Sequence, residues 1–165
     1  MDTIRELIIL ELLARAAVIR TTGSPQAYAT DIGATVLRAR LKVDPDDLPC
    51  VVVWPKPETA ENAYGKSRHK MTVQVDGVAA FGAEDPSVVA ERILGDLIKC
   101  FTSPDWDRRR LVAGSSPESY LAPYAESIVY QGGGGESPED GSISVGVPAT
   151  FLITYDTAIG DPYTQ

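Results

Sequence analysis

One histidine, two cysteines and a few groups of carboxylates are the side chains of this 165-residue sequence that could carry chemistry. His69 stands between Arg68 and Lys70. Two flanking cations oppose the approach of a metal ion and speak against a catalytic role. Cys50 opens the apolar run Cys50-Val51-Val52-Val53-Trp54, and Cys100 ends an apolar helical pattern. Both read as small buried hydrophobes, since nothing near them has the paired spacing of a zinc site or a redox pair. Carboxylates gather at Asp44, Asp46 and Asp47 and again at Glu136, Glu139 and Asp140, in turn-forming stretches where acidic residues are ordinary. An oxygen-ligated cation at the first group is chemically allowed but unspecific. The serines lie in no nucleophile elbow and no Ser-x-x-Lys pattern. The glycine run 132–135 is followed by no Gly-Lys-Ser/Thr and opens no helix, so it is not a phosphate loop. The reading is therefore of no catalytic, cofactor-binding or metal-binding set.

What remains are groups suited to contact. Arg38 and Arg40, with Lys42, recur at every second position, which in a strand puts them on one face. Arg108, Arg109 and Arg110 make a dense basic run in a chain whose net charge is −8. That charge leaves no uniformly basic footprint for nucleic acid or an anionic membrane. Apolar content of 44% and charged content of 23% are globular values, and the length suits one domain. The apolar N-terminal stretch is broken by Arg5, Glu6, Glu11 and Arg15, which suits neither a membrane span nor a signal peptide.

The elements that must position these groups follow from periodicity. Thr3 and Glu6 make a capping-box pattern. The helix it opens carries Ile4, Leu7, Ile8, Leu12 and Ala16 on one side and runs to about Thr21–Gly23, with Arg5, Glu11 and Arg15 pointing elsewhere. Residues 33–41 read as a strand. The run 50–54 is apolar throughout and should be central in a sheet. Residues 68–81 alternate, with Met71, Val73 and Val75 against Thr72, Gln74 and Asp76, and should bury one face. Between them, 55–67 reads as a long mobile loop stiffened at its exit by Pro55 and Pro57, with Tyr64 its only large side chain. Asp85-Pro86 starts a second helix with a seam of Val89, Ile93, Leu97 and Phe101 and with Glu91, Arg92, Asp96 and Lys99 outside it. A short third helix is expected over 105–111. Strands follow at 126–131 and 143–155, with Pro148 marking a bulge or an edge. Residues 157–165 should form an extended arm.

Helix, strands, helix, strands, with the strands in runs, predicts a single α+β domain over 1–165. It should have one mainly antiparallel or mixed sheet of four to five strands, two main helices on one face, and long flexible loops. Contact residues are expected on the loop (Tyr64, Lys66, Arg68), the cationic strand (Arg38, Arg40), the basic run (Arg108, Arg109, Arg110) and the arm (Asp161, Pro162, Tyr163).

The order of elements resembles the tail terminator (minor tail protein U-like) family of long-tailed bacteriophages. The resemblance is carried by the N-terminal helix Ile4 to Ile19, the strand Asp47-Leu48-Pro49-Cys50-Val51-Val52-Val53-Trp54-Pro55, and Met71-Thr72-Val73-Gln74-Val75-Asp76-Gly77. The helix after Asp85-Pro86 belongs to it too, as does the ending Phe151-Leu152-Ile153-Thr154-Tyr155 with Gly160-Asp161-Pro162-Tyr163. The stretches 104–125 and 132–135 look like additions to that pattern. The resemblance implies a non-enzymatic virion protein at the neck end of the tail, assembled in the host cytoplasm, with no cofactor and no membrane partner. It implies a ring of identical copies, a hexamer in such proteins. The ring caps the tail tube protein, ends its polymerisation and presents a surface to head-tail connector proteins, while DNA passes through unbound. A head-to-tail connector or other neck protein shares the pattern. A small-ligand-binding or enzymatic α+β domain is the alternative of another class.

Overall fold

The computed structural model describes residues 1–102, 124–135 and 138–165. It is an α+β domain built on one five-stranded mixed sheet. The strands are β1 (Thr35–Arg38), β2 (Cys50–Ala63), β3 (Lys66–Ala80), β4 (Ser127–Gly133) and β5 (Ser144–Ala158), in the spatial order β1-β2-β3-β5-β4. Only β1 against β2 is parallel; the other neighbours are antiparallel. Two helices, α1 (Ile4–Ala16) and α2 (Pro86–Thr102), pack on one face.

Alternation decides that face. Val73 and Val75 of β3 lie beside Phe151 and Ala149 of β5, and all four are buried under the helices. The opposite face presents Leu37, Trp54, Thr72, Gln74, Val78 and Leu152 at intermediate exposure. Gly77 leaves room for side chains of α2 and of the connector before β1: a Cβ there would lie 2.4 Å from Ile93 Cγ2 and 3.2 Å from Ile32 Cδ1. Thr3 caps α1, accepting the Glu6 N–H at 3.1 Å, as the capping pattern predicts. At the start of α2 the Asp85 carboxylate accepts the Ser87 N–H at 2.8 Å.

Several expectations need correction. The largest concerns 55–67, which is no mobile loop: β2 runs on to Ala63, Tyr64-Gly65 turns, and β3 starts at Lys66. Tyr64 and Gly65 have φ of 52° and 80°, the paired positive angles of a two-residue hairpin turn whose twist matches the strands. Pro55 and Pro57 do not break the strand, because the register shifts between Pro55 and Glu58 and a bulge absorbs the extra residue. α1 stops at Ala16 rather than near Thr21, and its Arg15 is buried, not outward. Asp96, placed outside the α2 seam by spacing, is also buried.

β1 ends at Arg38. Ala39 turns with φ of 49°, so Arg40 and Lys42 do not continue one strand face, and Leu41 is exposed. The strand expected at 126–131 runs 127–133, and the last strand continues to Ala158. Pro148 lies within a strand paired on both sides. Its carbonyl accepts the Gly134 N–H at 3.1 Å, so its missing donor faces the end of β4 rather than β3. The arm does not extend. It folds back through an Ala158–Asp161 bridge, with Ala158 N–H donating to Thr164 O and Ile4 N–H donating to Pro162 O, both at 2.9 Å. The third helix expected over 105–111 lies outside the described residues.

Cys50 and Cys100 are fully buried and unbonded to each other. Burial, with the Asp47 charge second, pushes the Cys50 thiol up to about 11. Burial pushes Cys100 up to about 12, and its thiol donates to Arg15 O at 3.3 Å, tying α2 to α1. Neither thiol should react with Ellman's reagent at pH 8 in the folded chain, and both should react in denaturant. Rapid native labelling of either would contradict this packing.

Candidate functional site

One end of the sheet collects most of the predicted contact residues. The outer half of the β2–β3 hairpin passes beyond the helical layer, and residues 59–66 are exposed. Tyr64 at the tip is completely exposed and Lys66 beside it is exposed. A large aromatic ring exposed on a tight turn is a ready contact group. Lys66 lies opposite Ala158, and the folded-back tail places Asp161, Pro162 and Tyr163 next to that position. Pro162 O receives one of the N–H groups at the start of α1. Asp161 holds its own turn, accepting Tyr163 N–H at 2.9 Å and the Thr164 hydroxyl at 3.0 Å. Tyr163 is left 45% exposed.

Removing 160–165 should leave a folded chain about 1–3 kcal/mol less stable, from three lost backbone hydrogen bonds, Ile4 N–H to Pro162 O, Ala158 N–H to Thr164 O and Asp161 N–H to Ala158 O. Urea unfolding measures this. An unfolded product would mean the tail does more than close the end of α1.

Arg68 is not a lone cation. Its Nε donates to Asp156 Oδ1 at 2.9 Å, and its Nη2 lies 2.9 Å from Glu126 Oε2. The Arg68 guanidinium holds the Asp156 carboxyl below its usual range. Together with Lys66, Tyr124 and Gln165 these groups line a shallow depression of about 320 Å³. Arg38 and Arg40 are not brought to this end. Arg38 forms a bidentate pair with Glu6 of α1 at 2.5 and 2.8 Å, which holds the Glu6 carboxyl below its usual range. Arg40 lies 3.7 Å from Asp44 beside the turn before β2. Arg108, Arg109 and Arg110 lie outside the described residues.

Sequence reasoning missed a polar cluster on the helix-facing side at the hairpin base. His69 stacks on Tyr155 with centroids 4.7 Å apart and planes 10° from parallel. Its Nε2 is 2.9 Å from Thr157 Oγ1, and its Nδ1 is 3.4 Å from Glu58 Oε1. The Tyr155 hydroxyl donates to Glu58 Oε2 at 2.7 Å; burial and then that carboxylate push the phenol well above its ordinary value. Arg5 lies 3.8 Å from the same oxygen and donates to Lys56 O at 2.8 Å. His69 thus faces a carboxylate, and its cationic sequence neighbours point to the other face of the strand. Strand alternation, applied to 66–71, was the signal that could have shown this. The cluster joins β2, β3, β5 and α1, so it fixes the direction in which the hairpin leaves the core.

A second buried carboxylate is structural. Asp96 of α2 accepts the N–H groups of Ala29 and Thr30, at 3.0 and 2.8 Å, and the Thr30 hydroxyl at 2.7 Å. It pins the connector between α1 and β1. Among the described residues no group of three or more histidines, cysteines or carboxylates could hold a metal ion, and no helix is long and apolar enough to cross a membrane. A scan of the chain against models of protein families finds no match, and neither does a search of curated proteins.

Proposed function

We propose that this chain is a structural subunit of a long-tailed bacteriophage that assembles, copy to copy, into a closed ring on the end of the tail tube. The ring ends tube polymerisation and offers the joining surface for the head connector. One observation carries the reading. The β2–β3 hairpin is paired out to its two-residue turn and tipped by a fully exposed tyrosine, at the end of the sheet where the C-terminal turn also lies. An ordered projection suits assembly better than a mobile loop, because less freedom is lost on contact.

Supporting facts are of two kinds. Two of the buried or half-buried polar clusters are taken up by structure: Asp96 holds backbone N–H groups, and Glu58 accepts from the Tyr155 hydroxyl and lies beside His69. The order of elements in the sequence resembles the tail terminator pattern, and head-to-tail contact between identical chains closes into a ring when the rotation per copy allows. Six copies per ring, a tail-tube partner, connector partners, a place in the virion neck and unbound passage of DNA all belong to this proposal. The net charge of −8 agrees with the last of these.

Binding separates the terminator role from its nearest alternative. Purified chain mixed with purified tail tubes should decorate one tube end and stop further tube subunits from adding. Binding to DNA-filled heads without binding to tubes would make it a connector and overturn the terminator role.

A further inference from the structure

We infer that the ring contact is strand addition, in which the free outer edge of β2 at Glu58, Ala60 and Asn62 takes up the outer edge of β4 of a second copy. The inference rests on the ring reading and specifies its contact.

The register supplies the argument. β1 covers β2 only from Cys50 to Val53, so the rest of that edge has no strand beside it among the described residues. Val53 O accepts the Ala39 N–H, which fixes Val53 as a residue whose backbone groups face outward. Backbone direction alternates along a strand, and the one-residue bulge before Glu58 resets the phase. The N–H and C=O groups of Glu58, Ala60 and Asn62 therefore face away from β3. The tight turn closed by Ala63 and Lys66 agrees with this phase. Pro55 and Pro57 withhold donors nearer the core, which confines pairing to the outer half of the hairpin.

The opposite edge of the same sheet is β4. Thr154 and Pro148 of β5 give their carbonyls to the β4 side, which leaves the backbone groups of Ile128 and Tyr130 facing outward. That edge carries no charge and no proline over Ser127–Gly133, the devices that normally guard an edge.

The two edges fit each other in three respects. β4 runs antiparallel to β5, β5 to β3 and β3 to β2, so β4 of one copy meets β2 of an identically oriented neighbour in the antiparallel sense. Pairing Ile128 with Ala60 and Tyr130 with Glu58 makes both pairs hydrogen-bonded ones. The helix-facing sides then coincide, since Ile128, Tyr130, Glu58 and Ala60 all align with helix-facing residues of β3 and β5. Within one chain Ile128 is level with Glu58, through Ile153 and Met71, so each neighbour is displaced by two residues, roughly 7 Å along the strand. A closed sheet needs such a stagger. The occupant is a second copy because a single chain carries both halves of this match.

Two measurements on the full chain test it. Ala60→Pro removes an outward N–H and leaves the β2–β3 ladder alone. Light scattering should show the wild-type chain as a ring and the variant as a single folded chain. Separately, hydrogen-bonded partners sit about 5.5 Å apart at Cα, within the span a disulfide bridges. Oxidised Ala60→Cys/Ile128→Cys should give a ladder of covalent multimers that neither single variant gives. If Ala60→Pro fails to fold, the ladder alone decides, and its absence overturns the inference. Wild-type rings with Ala60→Pro rings and no ladder overturn the strand contact and leave the ring reading standing. A wild-type chain that stays single at every concentration overturns both.

Discussion

Replacing Asp96 with alanine is expected to destabilise the chain by about 3 kcal/mol. The carboxylate is 5% exposed and receives two backbone N–H groups and a hydroxyl from Ala29 and Thr30. Truncation removes hydrogen bonds to a charged acceptor and leaves buried N–H donors without their partner. Asp96→Asn keeps one carbonyl acceptor and should lose less. For a chain of this length each kcal/mol lowers the melting temperature by roughly 2–4 °C, so alanine should cost roughly 6–12 °C. A change below about 1 kcal/mol for alanine would mean the connector is held by something other than Asp96.

Gly33→Ala should be about as damaging, for a steric reason. A Cβ at Gly33 would lie 2.4 Å from Ala16 O, 2.7 Å from Ile19 O and 2.9 Å from Ile19 N. These are backbone atoms at the end of α1 and just past it, so no side chain can swing aside. Gly33 also donates its own N–H to Ile19 O at 2.9 Å, and that bond would stretch. Overpacking of this kind costs roughly 1–3 kcal/mol. Gly146 is the control: a Cβ there meets nothing within 4 Å, and Gly146→Ala should be close to neutral. Equal effects at the two positions would show that the close approach of the connector to α1 is wrong.

The fold class was legible in the sequence because its core elements each keep one period. The alternation of Met71, Val73 and Val75 marks β3, and the seam Val89, Ile93, Leu97, Phe101 marks α2. The hairpin was not legible. Both of its faces are wet over 59–66, so alternation disappears, and its order comes from pairing with β3 and β5 rather than from its own burial. Tyr64-Gly65 is also a weaker turn signal than Asn-Gly, and two prolines upstream read as breakers. Of the candidate contact residues, Tyr64, Lys66, Arg68 and the 161–163 turn come together at one end. Arg38 and Arg40 are taken up by Glu6 and Asp44, because the turn at Ala39 ends the strand that would have aligned them. The buried partners of Asp96 and His69 were hidden for a shared reason. Each faces a segment remote in the chain, and spacing along one element says nothing about that segment.

The terminator role makes one demand that no property of the isolated domain can imitate. On the proposed role, long phage tails assembled without this protein should be imaged by negative stain and their lengths measured. The ring account predicts tubes that overrun their normal length, with no heads attached and with normal length restored by the wild-type chain. Tubes of normal length, ending squarely without the protein, would contradict it.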